Sequence, residues 1–471
     1  MAHQDQKRTE RTLERDTHAH DLLQALQWLL TNISLTTITL REDCTWTVQS
    51  LIQAALLWAW SDERTLTDRF QAIRKIIIHL NPGQAEPAGS YQAFVKLLRK
   101  WTEPLLYVLR PAFRQRMTST LTSVWTVAGW LAFACDGSRI DVPRTRSNEA
   151  QYSPKSKLSR EAQKRKRRRK KRKAAKSREQ QRQNKANVPQ IWLTVMWHVG
   201  SGLPWHWLTG PSDSSERDHL RQMLCELPES SLLTADAGFV GYDLWQTIAQ
   251  AGHEMLIRVG GNVKLLRKLG YAQERDGLVY LWPDKAAKQG MQPLVLRLIV
   301  VNTGRRPIFL VTSVMNRRKL TDFQAAQIYA GRWGIEVFYR HCKQTFDRRK
   351  LRSHNAHNAM VELHWSLLGV WAMGVHSHAR LVPKGMPPQR ISFVGILKAY
   401  RRTMREYKNT PDPGERLAQM LDQALVDEYE RKDKTSRNYP RKKQETAAGP
   451  PKIQNATRSQ VNQAKKLKRS A

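Results

Sequence analysis

A chain of 471 residues is long enough for about two to four domains, and its 40% hydrophobic residues, with 16 Trp, exclude wholesale disorder. Lys and Arg number 79 against 41 Asp and Glu. The formal net charge of +38 favours a polyanionic partner, first nucleic acid and second an acidic membrane surface. The four cysteines form no C-x-x-C pair, which argues against a zinc knuckle or a disulfide framework. No stretch resembles a secretory signal or is long and apolar enough to span a bilayer. We therefore expect a cytoplasmic protein with reduced thiols and no membrane segment.

Two segments carry much of the positive charge. Residues 151–190 hold 17 Lys and Arg against two acidic residues, and ten consecutive basic residues occupy 164–173. The tail, 431–471, holds 13 basic residues against two acidic ones. Such runs repel themselves and stay extended unless a polyanion neutralises them. We interpret the run at 164–173 as a sequence-independent contact to phosphates, with a solvated loop and a nuclear-import signal as alternatives.

The first 120 residues predict helices. Leu66, Phe70, Ile73, Ile77 and Leu80 recur at spacings of three and four, which places them on one helical face. The sequence Asn-Pro-Gly that follows ends this helix. We therefore predict an all-helical amino-terminal domain over residues 1–120.

From about residue 124 the pattern changes to strands. The apolar run 124–135 predicts a buried strand that breaks into a turn at Asp136, and a short strand at 231–235 ends at Asp236. Asp213 and Glu216 predict a capping box at the start of a helix that runs to about residue 226. Residues 260–318 are rich in β-forming segments, and we interpret them as a small β-sheet insertion.

The last part of the chain returns to helices. The sequence Thr-Asp-Phe-Gln at 321–324 is a capping box that opens a long helix to about residue 350. A buried helix is predicted over about 361–375. Helical signals fade after about residue 429, so we expect a basic tail without regular structure.

Three acids occupy positions from which a strand or helix aims a side chain inward: Asp136, Asp236 and Glu336. A buried carboxylate is costly unless it is paired or binds a cation, and oxygen ligands suit Mg²⁺ or Mn²⁺. Each acid also has an ordinary explanation, as a turn residue, a cap or a surface residue respectively. Asp141 is a rival for the first position, but we prefer Asp136 because of its predicted place at a strand end.

The predicted long helix carries a further pattern. Tyr329, Arg332, Glu336 and Lys343 fall within an arc of about 60° at roughly 100° per residue. An aromatic ring, two cations and an acid make a poor core stripe but fit a metal and a phosphodiester. The alternative is an ordinary salt bridge between Arg332 and Glu336 on a surface helix.

These residues resemble the insertion-sequence-four group of DDE transposases, whose Tyr-Arg-Glu-Lys signature matches Tyr329, Arg332, Glu336 and Lys343 without a gap. The segments around Asp136 and Asp236 resemble the group's two aspartate motifs, and the resemblance covers about residues 120–350. It implies a ribonuclease-H-like core in which Asp136, Asp236 and Glu336 hold two Mg²⁺ ions, with Mn²⁺ as an alternative. It also implies that Tyr329, Arg332 and Lys343 contact DNA phosphates, with Trp333 packed beside them.

We therefore predict an α/β protein with a ribonuclease-H-like mixed-sheet core. The expected segments are a helical domain at 1–120 that binds DNA ends, a first core part at 121–259 with a basic insertion at about 144–189, a β-rich insertion at 260–318, a second core part at 319–375, and a helical segment with a basic tail at 376–471.

The predicted function is metal-dependent DNA transposition, by cleavage at the element's ends and strand transfer into target DNA. The partners are the terminal inverted repeats and the target DNA, with a homodimer in the DNA complex, and the predicted location is the bacterial cytoplasm, at the nucleoid. A structure-selective nuclease on the same fold and a non-catalytic DNA-binding protein derived from a transposase are the alternatives.

The basic run at 164–173 gives a first test. Neutralising these ten residues should weaken binding to specific and random duplexes alike and flatten the dependence of the affinity on salt, because phosphate contacts release counterions. Filter-binding titrations at several salt concentrations measure both effects. A variant that lost only end-specific binding, with its salt slope unchanged, would show that the run reads sequence.

Overall fold

The structure is a computed structural model that describes residues 17–154, 188–302, 307–426 and 449–469. The run of basic residues at 164–173 lies outside the described residues, as does most of the predicted basic insertion. In the described part of the chain, no helix has the length and apolar character needed to cross a membrane. The four cysteines are free thiols, as the sequence predicts.

Four helices form the amino-terminal part of the described chain. Polar caps begin them: Thr47 and Ser50 form a capping box, and the Thr65 hydroxyl accepts a hydrogen bond from the Asp68 N–H. The predicted apolar face of the third helix is buried along its whole length. The four helices are α1 (His18–Leu30), α2 (Val48–Trp60), α3 (Leu66–Leu80) and α4 (Tyr91–Thr120).

Ten strands form one mixed sheet, in the order β10-β6-β7-β8-β9-β5-β4-β1-β2-β3. Strand β2 pairs antiparallel with β1 and with β3, whereas β4 runs parallel to β1 and β5 runs parallel to β4. This mixed sheet and the helical amino-terminal part confirm the predicted α/β fold class. The strands are β1 (Ala132–Asp141), β2 (Gln190–His198), β3 (Leu203–Gly210), β4 (Leu232–Ala235), β5 (Glu254–Val259), β6 (Lys264–Arg267), β7 (Leu278–Leu281), β8 (Leu294–Val301), β9 (Ile308–Thr312) and β10 (Lys452–Asn455).

One prediction about a strand is wrong. The strand that carries Asp136 does not break there, because its antiparallel pairing with β2 continues as far as Asp141, opposite Gln190. Strands β6–β9 lie within the predicted β-rich insertion at 260–318, and β9 joins them to the main sheet by pairing antiparallel with β5. Asp136 therefore lies in the middle of β1, and β4 and β5 separate β1 from the strands of the insertion.

The remaining helices pack on the sheet or on the amino-terminal helices. The longest of them, α11, is tied to both: the Trp207 indole of β3 donates to His364, and Trp365 donates to Thr102 of α4. The predicted buried helix at 361–375 is thus part of a longer helix. These elements are α5 (Arg146–Tyr152), α6 (Glu216–Met223), α7 (Tyr242–Gln250), α8 (Asp284–Lys288), α9 (Asp322–Gly331), α10 (Trp333–Arg340), α11 (Ala356–Leu381), α12 (Phe393–Arg405), α13 (Leu417–Asp422) and α14 (Arg458–Arg469).

The predicted single helix from about 321 to 350 is interrupted and shorter. Between α9 and α10, Arg332 and Ile335 donate to carbonyls three residues back, which tightens the helix locally. After α10 a π-helical turn, His341–Thr345, precedes Asp347, whose φ of +52° is left-handed and ends the helix. The signature residues therefore lie on consecutive helical segments and not on one regular helix: Tyr329 is in α9, Glu336 is in α10 and Lys343 is in the π-helical turn.

The tail also departs from its prediction. Within residues 449–469, which were expected to lack regular structure, β10 pairs in parallel with β6 and α14 follows it. Pairing with a strand about 190 positions earlier in the chain is a long-range interaction that no local pattern in a basic segment reports.

Candidate active site

The predicted acids Asp136 and Asp236 lie at the same level of two neighbouring parallel strands. The pairing of β1 with β4 ends at Ala134 opposite Thr234, and each aspartate follows two residues later. Because side chains alternate along a strand, positions two residues beyond a paired couple face the same side of the sheet. Neighbouring strands are about 4.8 Å apart, so this register brings the two carboxylates close together.

Backbone N–H groups hold both aspartates in place. The Asp136 Oδ1 accepts a hydrogen bond of 2.8 Å from the N–H of Gly137. The Asp236 Oδ1 accepts one of 2.8 Å from Gly238 and so caps a short 3₁₀ helix, Ala237–Phe239. Among the described residues, the other oxygen of each carboxylate accepts no hydrogen bond.

Glu336 reaches the same place from α10. One turn later on this helix, the buried Tyr339 donates a hydrogen bond of 2.7 Å to the backbone oxygen of Asp136, which fixes α10 against β1. Arg332, one turn earlier, donates to Glu336 Oε1 at 2.8 Å. The structure thus brings together three acids that follow one another in the chain at intervals of 100 positions.

The electrostatics of this cluster favour a cation. Burial raises the pKa of Asp136 from 3.8 to about 6, and the negative charges of Asp236 and Glu336 add to the rise. The N–H of Gly137 and the positive charge of Arg332 oppose it. Three carboxylates against one guanidinium leave an excess of negative charge, and their oxygen donors fit Mg²⁺ or Mn²⁺.

Asp141, the rival for the first position, lies elsewhere. It ends β1 five residues beyond Asp136, which is about 16 Å further along an extended strand. Its carboxylate accepts a hydrogen bond of 2.6 Å from the side chain of Gln190. The structure therefore groups Asp136, and not Asp141, with the other two acids.

The four residues expected to contact DNA surround the acids, but two of them already have partners within the protein. Arg332 pairs with Glu336, as the salt-bridge alternative predicted, and also lies 5.5 Å from the centre of the Tyr329 ring. Lys343 donates a hydrogen bond of 2.6 Å to Ser138, which shares a strand face with Asp136. Trp333, in contrast, is 60% exposed.

Sequence reasoning missed three residues at this site: Ser138, Glu216 and Tyr339. The predicted capping box of Asp213 and Glu216 is wrong, because the N-cap of α6 is Ser215, whose hydroxyl accepts a hydrogen bond from the Asp218 N–H. Glu216 is then free to turn toward the sheet. The Ser-x-x-Asp spacing of 215 and 218 was the signal that could have placed this helix start correctly.

A second group of potential metal ligands lies among the helices, away from the sheet. It contains His18, Glu406 and Glu415, whose ligand atoms are close together. Both glutamates pair with Arg402, so each carboxylate already has a cationic partner. This group therefore lacks the excess of negative charge found around Asp136.

Known proteins that are similar to this chain include transposases. The family model described as a transposase DDE domain matches residues 131–371, which include all three acids. The transposase InsG for insertion sequence element IS4 of Escherichia coli (strain K12) is 25% identical over 221 residues, 45% of this chain and 49% of that protein. The chain thus spans about half the length of this relative. A solved structure, the piggyBac transposase synaptic complex with hairpin DNA, matches over 89% of this chain and 86% of its own, with 11% identity and a TM-score of 0.38.

The raised pKa of Asp136 predicts how stability depends on pH in metal-free protein. A carboxyl with a higher pKa in the folded state stabilises the fold fully below its unfolded pKa of 3.8, and this stabilisation is lost as the pH rises through about 6. An Asp136→Asn variant lacks the effect. As the pH rises from 4 to 7, the free energy of unfolding of the variant, relative to that of the wild type, should therefore increase by about 1–2 kcal/mol; this range allows for the partial exposure of Asp136. Urea denaturation in EDTA measures the difference, and parallel pH profiles would contradict it.

Proposed function

Because the chain belongs to the family of transposases with a DDE domain, we propose that it is a DNA transposase, which cuts DNA at the ends of a mobile element and joins the freed ends to target DNA. The observation that carries this proposal is the convergence of Asp136, Asp236 and Glu336 at one edge of the β1–β4 pair. A DDE domain implies dependence on divalent metal ions in general. The relative from the insertion-sequence-four element supports the group that the signature indicates.

The three carboxylates are proposed to hold two Mg²⁺ ions, for which Mn²⁺ substitutes. When bound, such ions lower the pKa of an attacking water or 3′-hydroxyl and neutralise charge on the leaving oxygen. The protein's own part is to keep the acids in register, through the β1–β4 pairing and the contact between Tyr339 and the Asp136 carbonyl. Arg332 orients the Glu336 carboxylate at 2.8 Å.

DNA is proposed to lie along the side chains of Tyr329, Arg332, Trp333 and Lys343. The two cations are held near the acids by protein partners, so a phosphate that enters replaces Ser138 at Lys343 and shares Arg332 with Glu336. The exposed ring of Trp333 offers an apolar face beside them. We further propose that the helices at 1–120 bind the terminal inverted repeats, that the active complex with DNA is a homodimer, and that it acts at the bacterial nucleoid.

The three acids can be tested by conservative substitutions. Asp136→Asn, Asp236→Asn and Glu336→Gln should each reduce cleavage of a DNA that carries the element's ends by at least about 1000-fold, because each removes an oxygen ligand. DNA binding, measured by mobility shift, should stay within about threefold of the wild type. The matched control is Asp141→Asn, which removes an acid from the same strand and should cleave normally. Near-wild-type cleavage by any of the first three in Mg²⁺ would remove that residue from the site.

Substitution of Lys343 distinguishes a role in DNA binding from a role in folding. Its hydrogen bond to Ser138 is a single partly buried contact, so Lys343→Ala should lower the free energy of unfolding by only about 1 kcal/mol. Cleavage should fall at least about 30-fold, because a misplaced phosphate loses its in-line geometry.

The control for this experiment is Arg340→Ala, which removes an exposed cation one turn earlier on the same path. Thermal melting and cleavage are measured for both variants. A large drop in melting temperature for Lys343→Ala, with normal turnover by the folded fraction, would mean that Lys343 is structural.

A further inference from the structure

Glu216, the first residue of α6, places its carboxylate against the backbone next to both aspartates. A Cβ atom built on Gly137, the residue after Asp136, would lie 2.8 Å from Glu216 Oε2. A Cβ atom built on Gly238, whose N–H caps Asp236, would lie 3.1 Å from Glu216 Oε1. The two oxygens of Glu216 therefore face the two backbone segments that carry the aspartates.

Glu216 approaches from the side of the sheet opposite to Glu336. Residues 136 and 137 point to opposite faces of β1, so a carboxylate that faces the Cβ position of Gly137 lies across the strand from the Asp136 side chain. On that face α6 is held by His219, which hydrogen-bonds Thr194 of β2 at 2.8 Å. The acids thus approach the carboxyl end of β4 from both faces of the sheet.

The ordinary explanation of Glu216 is a favourable interaction with the amino-terminal end of a helix. That explanation accounts for an acid in the first turn, but Asp218 satisfies it while exposed and paired with Arg221. It does not account for a half-buried carboxylate turned toward two other acids. Within the described residues, Glu216 accepts no hydrogen bond and forms no ion pair.

The charges around Glu216 increase the excess of negative charge at this site. Asp236 and Asp136 place two further negative charges beside this partly buried carboxylate. The neighbouring cation, Arg217, directs its Nε to the backbone oxygen of Gly238. A half-buried acid beside two others, without a hydrogen-bonding partner, is stabilised when a cation binds among them.

We propose that Glu216 is a fourth carboxylate of the divalent-metal centre formed by Asp136, Asp236 and Glu336, and that it supplies an oxygen to the metal from the opposite face of the sheet. The inference rests on the proposed function, since it assumes that this centre binds divalent metal. It makes Glu216 a residue of the metal-binding set.

The test is direct binding of Mn²⁺ to the full-length protein without DNA, measured at pH 7.5 from the electron paramagnetic resonance signal of free Mn²⁺. Glu216→Gln should weaken binding at least about tenfold, because a neutral amide is a poorer ligand for a hard cation. The control Asp218→Asn removes the same charge from the same helix turn and should stay within about twofold of the wild type. Melting in EDTA should show Glu216→Gln to be at least as stable as the wild type, since a repulsion is removed.

Further variants make each outcome decisive. Glu216→Asp keeps the charge but withdraws the carboxylate by one methylene, so it should also bind Mn²⁺ less tightly, and it replaces Glu216→Gln if that variant does not fold. If Asp236→Asn loses Mn²⁺ binding while both Glu216 variants bind like the wild type, the role of Glu216 is overturned and the proposed function stands. If Asp236→Asn also binds like the wild type, the proposed metal centre itself fails.

Discussion

The parallel pairing of β1 with β4 is the constraint on which the rest of the site depends. Like charges repel, so Asp136 and Asp236 stay close only because the sheet holds both backbones in one register. A slip by one residue would turn Asp136 to the other face of the sheet. The position of Glu336 follows from the same strand, since Tyr339 of α10 bonds to the carbonyl of Asp136.

The second feature of the site is how the free protein balances its charges. Arg332 pairs with Glu336, and Lys343 bonds to Ser138, so the cations proposed to hold phosphates are kept beside the acids by polar groups of the protein. These two cations do not neutralise the four carboxylates Asp136, Glu216, Asp236 and Glu336, and a divalent cation would balance the remaining negative charge. The same side chains therefore orient the acids before DNA arrives and are available to its phosphates afterwards.

The residues with a strong local signal were predictable, and those placed by distant pairing were not. Asp236 follows a short apolar strand, and Glu336 lies on an amphipathic helix, so local patterns located both. The pattern around Asp136 predicted a strand end, but pairing with β2 carries the strand on to Asp141. Glu216 was missed because the N-cap of its helix is Ser215 and not Asp213. Which acid faces the aspartates depends on how α6 packs on the sheet, and the spacing of residues in the chain does not contain that information.

The most direct test of this account is to map where a bound metal lies along the chain. Fe²⁺ binds oxygen sites at least as tightly as Mn²⁺, and with ascorbate and peroxide it generates radicals that cut the backbone nearby. We predict cuts close to Asp136, Glu216, Asp236 and Glu336, suppressed together by excess Mg²⁺ and absent from Asp236→Asn protein. Cuts confined to the neighbourhood of His18 and Glu406, or spread evenly along the chain, would contradict a single metal centre at the β1–β4 edge.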